Sequence, residues 1–98
     1  MGKRKIIIKK SVAESIAEVA WYIESKGLLT TAEKFTDSVY DFIEEFSDKR
    51  KTHTICREPK RAALGFKCVV FKKYTIVFIE NSIEIIICEF IPSKLVWW

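Results

Sequence analysis

The sequence predicts an α+β fold in two layers, with elements in the order β-α-α-β-β-β and an antiparallel helical hairpin packed on one face of a four-stranded, mainly antiparallel sheet. Three observations carry the prediction. Residues 74–91, YTIVFIENSIEIIICEFI, are two β-branched and aromatic runs around a short polar turn, the pattern of a β-hairpin. Residues 11–46 carry apolar side chains at helical spacing, interrupted once at Gly27. Ile6, Ile7 and Ile8 are contiguous, as in a short strand buried on both faces.

The first strand is expected over Lys5 to Lys9, and its orientation in the sheet is left open. Ser11-Val12-Ala13-Glu14 fits a capping box, in which hydroxyl and carboxylate each satisfy an orphan backbone donor. Val12, Ile16, Val19, Ala20 and Ile23 form the first helix's stripe, and Gly27 ends it. Thr30-Thr31-Ala32-Glu33 repeats the box a few residues later, so the second helix folds back on the first. Its stripe is Ala32, Phe35, Val39, Phe42, Ile43 and Phe46, with an end near Asp48-Lys49.

From Lys49 to Ala63 no period survives, and Pro59 breaks what remains, which predicts a basic loop. Leu64 to Phe71 resumes strand character, and Lys72-Lys73 turns it into the strand that starts at Tyr74. In that strand Tyr74, Ile76 and Phe78 face one way and Thr75, Val77 and Ile79 the other, so it is central and covered twice. Asn81-Ser82 supplies the next turn, with Asn tolerating positive φ. In the last strand Ile83, Ile85 and Ile87 oppose Ile86, Cys88 and Phe90, and Pro92 ends it. Trp97 and Trp98, in the tail after it, are too apolar to stay wet and are expected to pack on the sheet or anchor a partner. The basic loop and this tail are to cover the second sheet face. Trp21 and Tyr22 are expected to fill the seam between the helices.

A chain of 98 residues makes a single domain, 1–98, that buries roughly 65% of its unfolded surface. With 49% apolar and 31% charged residues it is globular, and no apolar run approaches the ~18 residues of a membrane span. The opening MGKRKIIIKK lacks the apolar region and cleavage site of a signal peptide. Cys56, Cys68 and Cys88 are odd in number and widely spaced, and Cys68 and Cys88, in expected strands among apolar neighbours, are read as free thiols, so a reducing, cytoplasmic setting is expected. The spacing of His53 and Cys56 does not close a metal site, so neither metal nor cofactor is expected.

The net charge of +4 conceals segregation. Residues 11–48 hold nine acids against Lys26 and Lys34, whereas residues 49–73 hold nine cations against Glu58 alone. Cations gathered at a rim opposite acidic helices imply an anionic partner. The candidates for phosphate or target binding are Arg57, Lys60, Arg61, Lys67, Lys72 and Lys73. Weak catalytic candidates are Lys60, Arg61, Lys67, His53 and Lys94. His53 alone titrates near neutrality.

Arg57-Glu58-Pro59-Lys60-Arg61-Ala62-Ala63-Leu64-Gly65 leading into a strand, then Lys73 to Phe78, then Ile85 to Ile91 with a short polar and basic end, resemble the RelE/ParE superfamily of type II toxins over essentially the whole chain. The resemblance implies a growth-inhibiting toxin of a plasmid-stabilisation type, neutralised by a cognate antitoxin. RelE-like members cleave messenger RNA in the ribosome without a metal, whereas ParE-like members poison DNA gyrase. The closing segment offers Ser93 and Lys94 where nuclease members place an Arg and then a Tyr or His. The indoles that follow cannot exchange a proton at neutral pH, which favours the ParE-like branch. A ribosome-dependent endonuclease is the alternative, and a non-toxic nucleic-acid-binding module a third.

Overall fold

The computed structural model describes residues 4–45 and 55–95 and has the expected α+β architecture. The elements are β1 (Lys5–Ile8), α1 (Lys10–Ser25), α2 (Leu29–Glu44), α3 (Pro59–Ala63), β2 (Lys67–Phe71), β3 (Tyr74–Glu80) and β4 (Glu84–Pro92), followed by a 3-10 turn at Ser93–Leu95. The sheet order is β1-β4-β3-β2, with β2-β3 and β3-β4 antiparallel. β1 runs parallel to β4, Ile6 opposite Ile85 and Ile8 opposite Ile87, which settles the orientation the sequence left open.

One sheet face and the helical hairpin enclose the core. Val12 and Ile16 of α1, Val39 and Ile43 of α2, and Ile76, Phe78, Ile85, Ile87 and Phe90 of the sheet form one buried cluster. Phe78 is fully buried, and burial of a side chain this large contributes about 2–3 kcal/mol. Around it Tyr74 stacks on Phe90 at 4.8 Å between centroids, and Phe35 meets Tyr74 edge-on at 5.6 Å.

Several local expectations are corrected. α1 starts at Lys10, one residue before the proposed capping serine, and its N-cap is Lys9 without a side-chain cap. The Lys9 carbonyl accepts the amides of Val12 and Ala13, so β1 passes into the helix with no room for a capping box. α2 likewise starts at Leu29 with Leu28 as N-cap, placing Thr30 and Thr31 inside its first turn. Its expected end near Asp48 and the stripe residue Phe46 lie outside the described residues.

The β3–β4 connection is Asn81-Ser82-Ile83. Asn81 works through its side chain, whose Oδ1 accepts the amides of Ile83 and Glu84, and not through positive φ. The register between β3 and β4 shifts at Val77/Phe78, so that Phe78 faces Ile87 and Val77 faces Glu89. The extra residue, Cys88, reverses the alternation of β4 beyond it. Phe90 therefore joins Ile85 and Ile87 in the core, contrary to simple period-2 counting.

Trp21 and Tyr22 do not fill the helix seam. They are 70% and 57% exposed, and Lys26 Nζ lies 4.9 Å from the centre of the Tyr22 ring. No helix is long and apolar enough to cross a membrane among the described residues.

Candidate functional site

The sheet face away from the helices carries the candidate site. Strand alternation directs Cys68 and Val70 of β2 and Thr75 and Val77 of β3 to this side, and Glu89 and Ile91 of β4 join them after the bulge. The segment expected to be a basic loop crosses this face as a strap. Pro59 does not break structure here. It occupies the first position of α3, where a missing amide hydrogen costs nothing, with Glu58 as N-cap.

The strap is fastened at both ends of one row of residues. Cys68, Val77 and Glu89 are opposite one another across three strands. Cys56 is bonded to Cys68 in a disulfide at one end of the row. At the other, Arg61 donates to Glu89 through Nε and Nη2, both at 2.9 Å, while its Nη1 donates to Glu58 at 2.6 Å. Between the two fastenings Val77 is fully buried. Thus Cys68 is not the free thiol expected but is bonded to Cys56, and Cys88 is the one free cysteine. Pairing between residues 12 apart in sequence depends on how the strap folds back, which spacing alone does not reveal.

The same contacts change the standing of Arg61. A guanidinium fork that would grip phosphate already holds a carboxylate in bidentate fashion. Its hydrogen bonds to Glu89, and next to Glu58, raise its pKa further against the opposing effect of burial. Arg61 is therefore a fastening for the strap in this state. Lys67 also leaves the anion-binding set. Odd-numbered positions of β2 face the helices, so its ammonium lies beside Glu80, at 3.9 Å, in a cluster where Arg4 donates to the same carboxylate at 2.8 Å.

Arg57, Lys60, Lys72, Lys73 and Lys94 remain solvent-exposed. Arg57 and Lys60 belong to the strap, while Lys72 and Lys73 form the β2–β3 turn, about 13 Å along β3 from the Val77 row. Lys94 joins that turn because the Ser93 amide donates to the Lys73 carbonyl at 2.8 Å. A cleft of 480 Å³ lies there, lined by Lys73, Tyr74, Pro92, Ser93 and Lys94. The Ser93 and Thr75 hydroxyls share a hydrogen bond at 3.0 Å, fixing the 3-10 turn to β3.

Two cationic groups thus stand apart on the molecule, one on the strap across the far face and one at the β2–β3 turn, whose cleft takes Tyr74 and Pro92 from the helix-side face. Together they can hold an extended anionic surface or backbone. No cluster of three or more His, Cys, Asp or Glu side chains suited to a metal occurs among the described residues. His53, Trp97 and Trp98 lie outside the described residues. The chain matches no family model, no curated protein and no solved structure.

Reasoning from sequence missed Glu58, Glu89, Tyr74, Thr75 and Ser93. The spacing of Glu58 and Arg61 was a readable signal, since an acid three residues before an arginine meets it on a helix. Glu89 was not readable, because its face depends on the bulge at Cys88.

Proposed function

We propose that this protein is the toxin component of a type II toxin-antitoxin pair, resembling the ParE branch of the RelE/ParE superfamily. It inhibits growth by binding a macromolecular target, with DNA gyrase the expected one, and is silenced by a cognate antitoxin. The observation that carries the reading is the set of exposed cations, Arg57 and Lys60 on the strap and Lys72, Lys73 and Lys94 at the β2–β3 turn, set apart from the exposed acids of α1 and α2. The β-α-α-β-β-β order supports it alongside the motif resemblance.

Binding is preferred to RNA cleavage on chemical grounds. In-line attack on a phosphodiester needs a group to take a proton and cations to hold the phosphate. Arg61 is already occupied by carboxylates, and those carboxylates are occupied by Arg61. The ribosome-dependent endonuclease is the second reading because the cleft beside Lys73 and Lys94 places two ammonium groups near a serine and a tyrosine.

Expression of the chain without an antitoxin, followed by inspection of DNA and ribosome-bound messenger RNA, tests the proposal. Growth arrest with DNA damage and intact messenger supports the ParE-like reading. Cut messenger with intact DNA transfers support to the nuclease, and unimpaired growth favours a non-toxic nucleic-acid-binding module.

A further inference from the structure

We propose that the Cys56–Cys68 bond is a redox clasp: its reduction by a dithiol releases the strap from the open sheet face and lets Arg61 leave Glu58 and Glu89. The proposal concerns how the face is covered and stands apart from whether the protein is a toxin.

Among the described residues the strap's apolar hold is small, resting on buried Cys56 and its cover over Val77. α3 is five residues long with no buried residue, too short to persist as an isolated helix. No residue from 55 to 66 belongs to the core cluster or to the apolar side chains packed against it. Among the described residues the strap is fixed chiefly by a covalent bond at Cys68, ion pairs at Glu89 and within Glu58-Arg61, and the backbone contacts of Ile55 and Cys56 with Lys67 and Phe66, over buried Val77. A segment fastened by polar contacts and one labile bond belongs to the low-stability part of a fold. The strands beneath it are different, since Ile76, Val77 and Phe78 are wholly buried and flanked by paired strands.

Access and stoichiometry both allow the step. Cys56 is 3% exposed, whereas Cys68 is half-buried, so attack at Cys68 is the more accessible route. The thiolate of a dithiol attacks Cys68 Sγ, forming a mixed disulfide and expelling Cys56 as a thiolate that takes up a proton. The second thiol of the reductant then attacks its own sulfur in that mixed disulfide and releases Cys68, which is protonated in turn. Two electrons pass to the protein, giving two thiols, and the dithiol becomes a disulfide. With the covalent anchor gone, the short arm carrying Arg57, Lys60 and Arg61 keeps the backbone contacts of Ile55 and Cys56 and the Arg61 ion pairs, which salt weakens.

Amide hydrogen exchange on the oxidised protein, on the same protein reduced with dithiothreitol and after reoxidation, tests the clasp. The amides of Cys56, Ala62, Leu64, Gly65 and Phe66 are each bonded within the strap or to its neighbours and report its state directly. Reduction should speed their exchange by about tenfold or more, leave the amides of Ile76 to Phe78 within about twofold, and reverse on reoxidation. A Cys56→Ser/Cys68→Ser variant should match the reduced protein and ignore dithiothreitol, separating the clasp from any effect at Cys88. Strap amides that keep their protection in the reduced protein would overturn the proposal. So would loss of protection in the central strands, which makes the bond a general staple, and so would alkylation of all three cysteines in the untreated native protein.

Discussion

Arg61 illustrates how a single side chain can have the chemistry of a ligand-binding group and the role of a structural one. Its three donors are directed at two carboxylates, one of which, Glu58, is only 8% exposed. Arg61→Ala strands that buried carboxylate and should cost about 1–2 kcal/mol in urea unfolding, whereas Arg57→Ala and Lys60→Ala should stay within about 0.5 kcal/mol. A functional variant should therefore spare Arg61, because removing it disturbs the strap along with the charge. Cys88 allows a second prediction at this scale. Burial pushes its thiol up, so the folded protein holds the proton more tightly than the unfolded chain. The stability this contributes is fully present below the unfolded thiol value of about 8.5 and is lost as pH rises towards the folded one. The oxidised protein should weaken in urea above about pH 9, and Cys88→Ala should flatten that part of the curve. Arg61 was visible in the sequence as a cation on a loop, but its occupancy by Glu89 required knowing which way β4 faces after the bulge.

At the scale of elements, strands and helices were legible wherever a long apolar period stated them. The β3–β4 pair and the described parts of both helix stripes reappear with element starts shifted by a residue or so. What failed was local chemistry with more than one structural outlet. Ser11-Glu14 and Thr30-Glu33 have capping spacing, yet β1 and the inter-helix turn deliver the chain to each helix before those residues are reached. Five-residue α3 carries no apolar stripe and could not announce itself by period. The β2–β3 turn offers a direct test, because Lys72 adopts φ 54 with a side chain that disfavours the left-handed region. Lys72→Gly should raise stability by about 0.5–1 kcal/mol, read as a higher urea midpoint with an unchanged slope. Gly65, at φ +82 between α3 and β2, shows the converse: a Cβ there meets no neighbour, so Gly65→Ala should lose about 1 kcal/mol through backbone conformation alone.

For the whole molecule, the two layers divide the charge as well as the architecture. Acids populate the outer surfaces of α1 and α2, and exposed cations lie on the strap and the β2–β3 turn, fewer than the sequence implied because Arg61 and Lys67 are committed to internal partners. Acids on the helices and cations on the strap and turn orient the encounter with an anionic target and make it sensitive to salt. The most direct measurement is growth of cells induced to express the chain, compared with cells expressing a folded Arg57→Ala/Lys60→Ala/Lys73→Ala/Lys94→Ala variant at equal abundance. Arrest by the unaltered chain and growth with the variant is the predicted result. Arrest by both, or by neither, would contradict the assignment of these cations as the working surface.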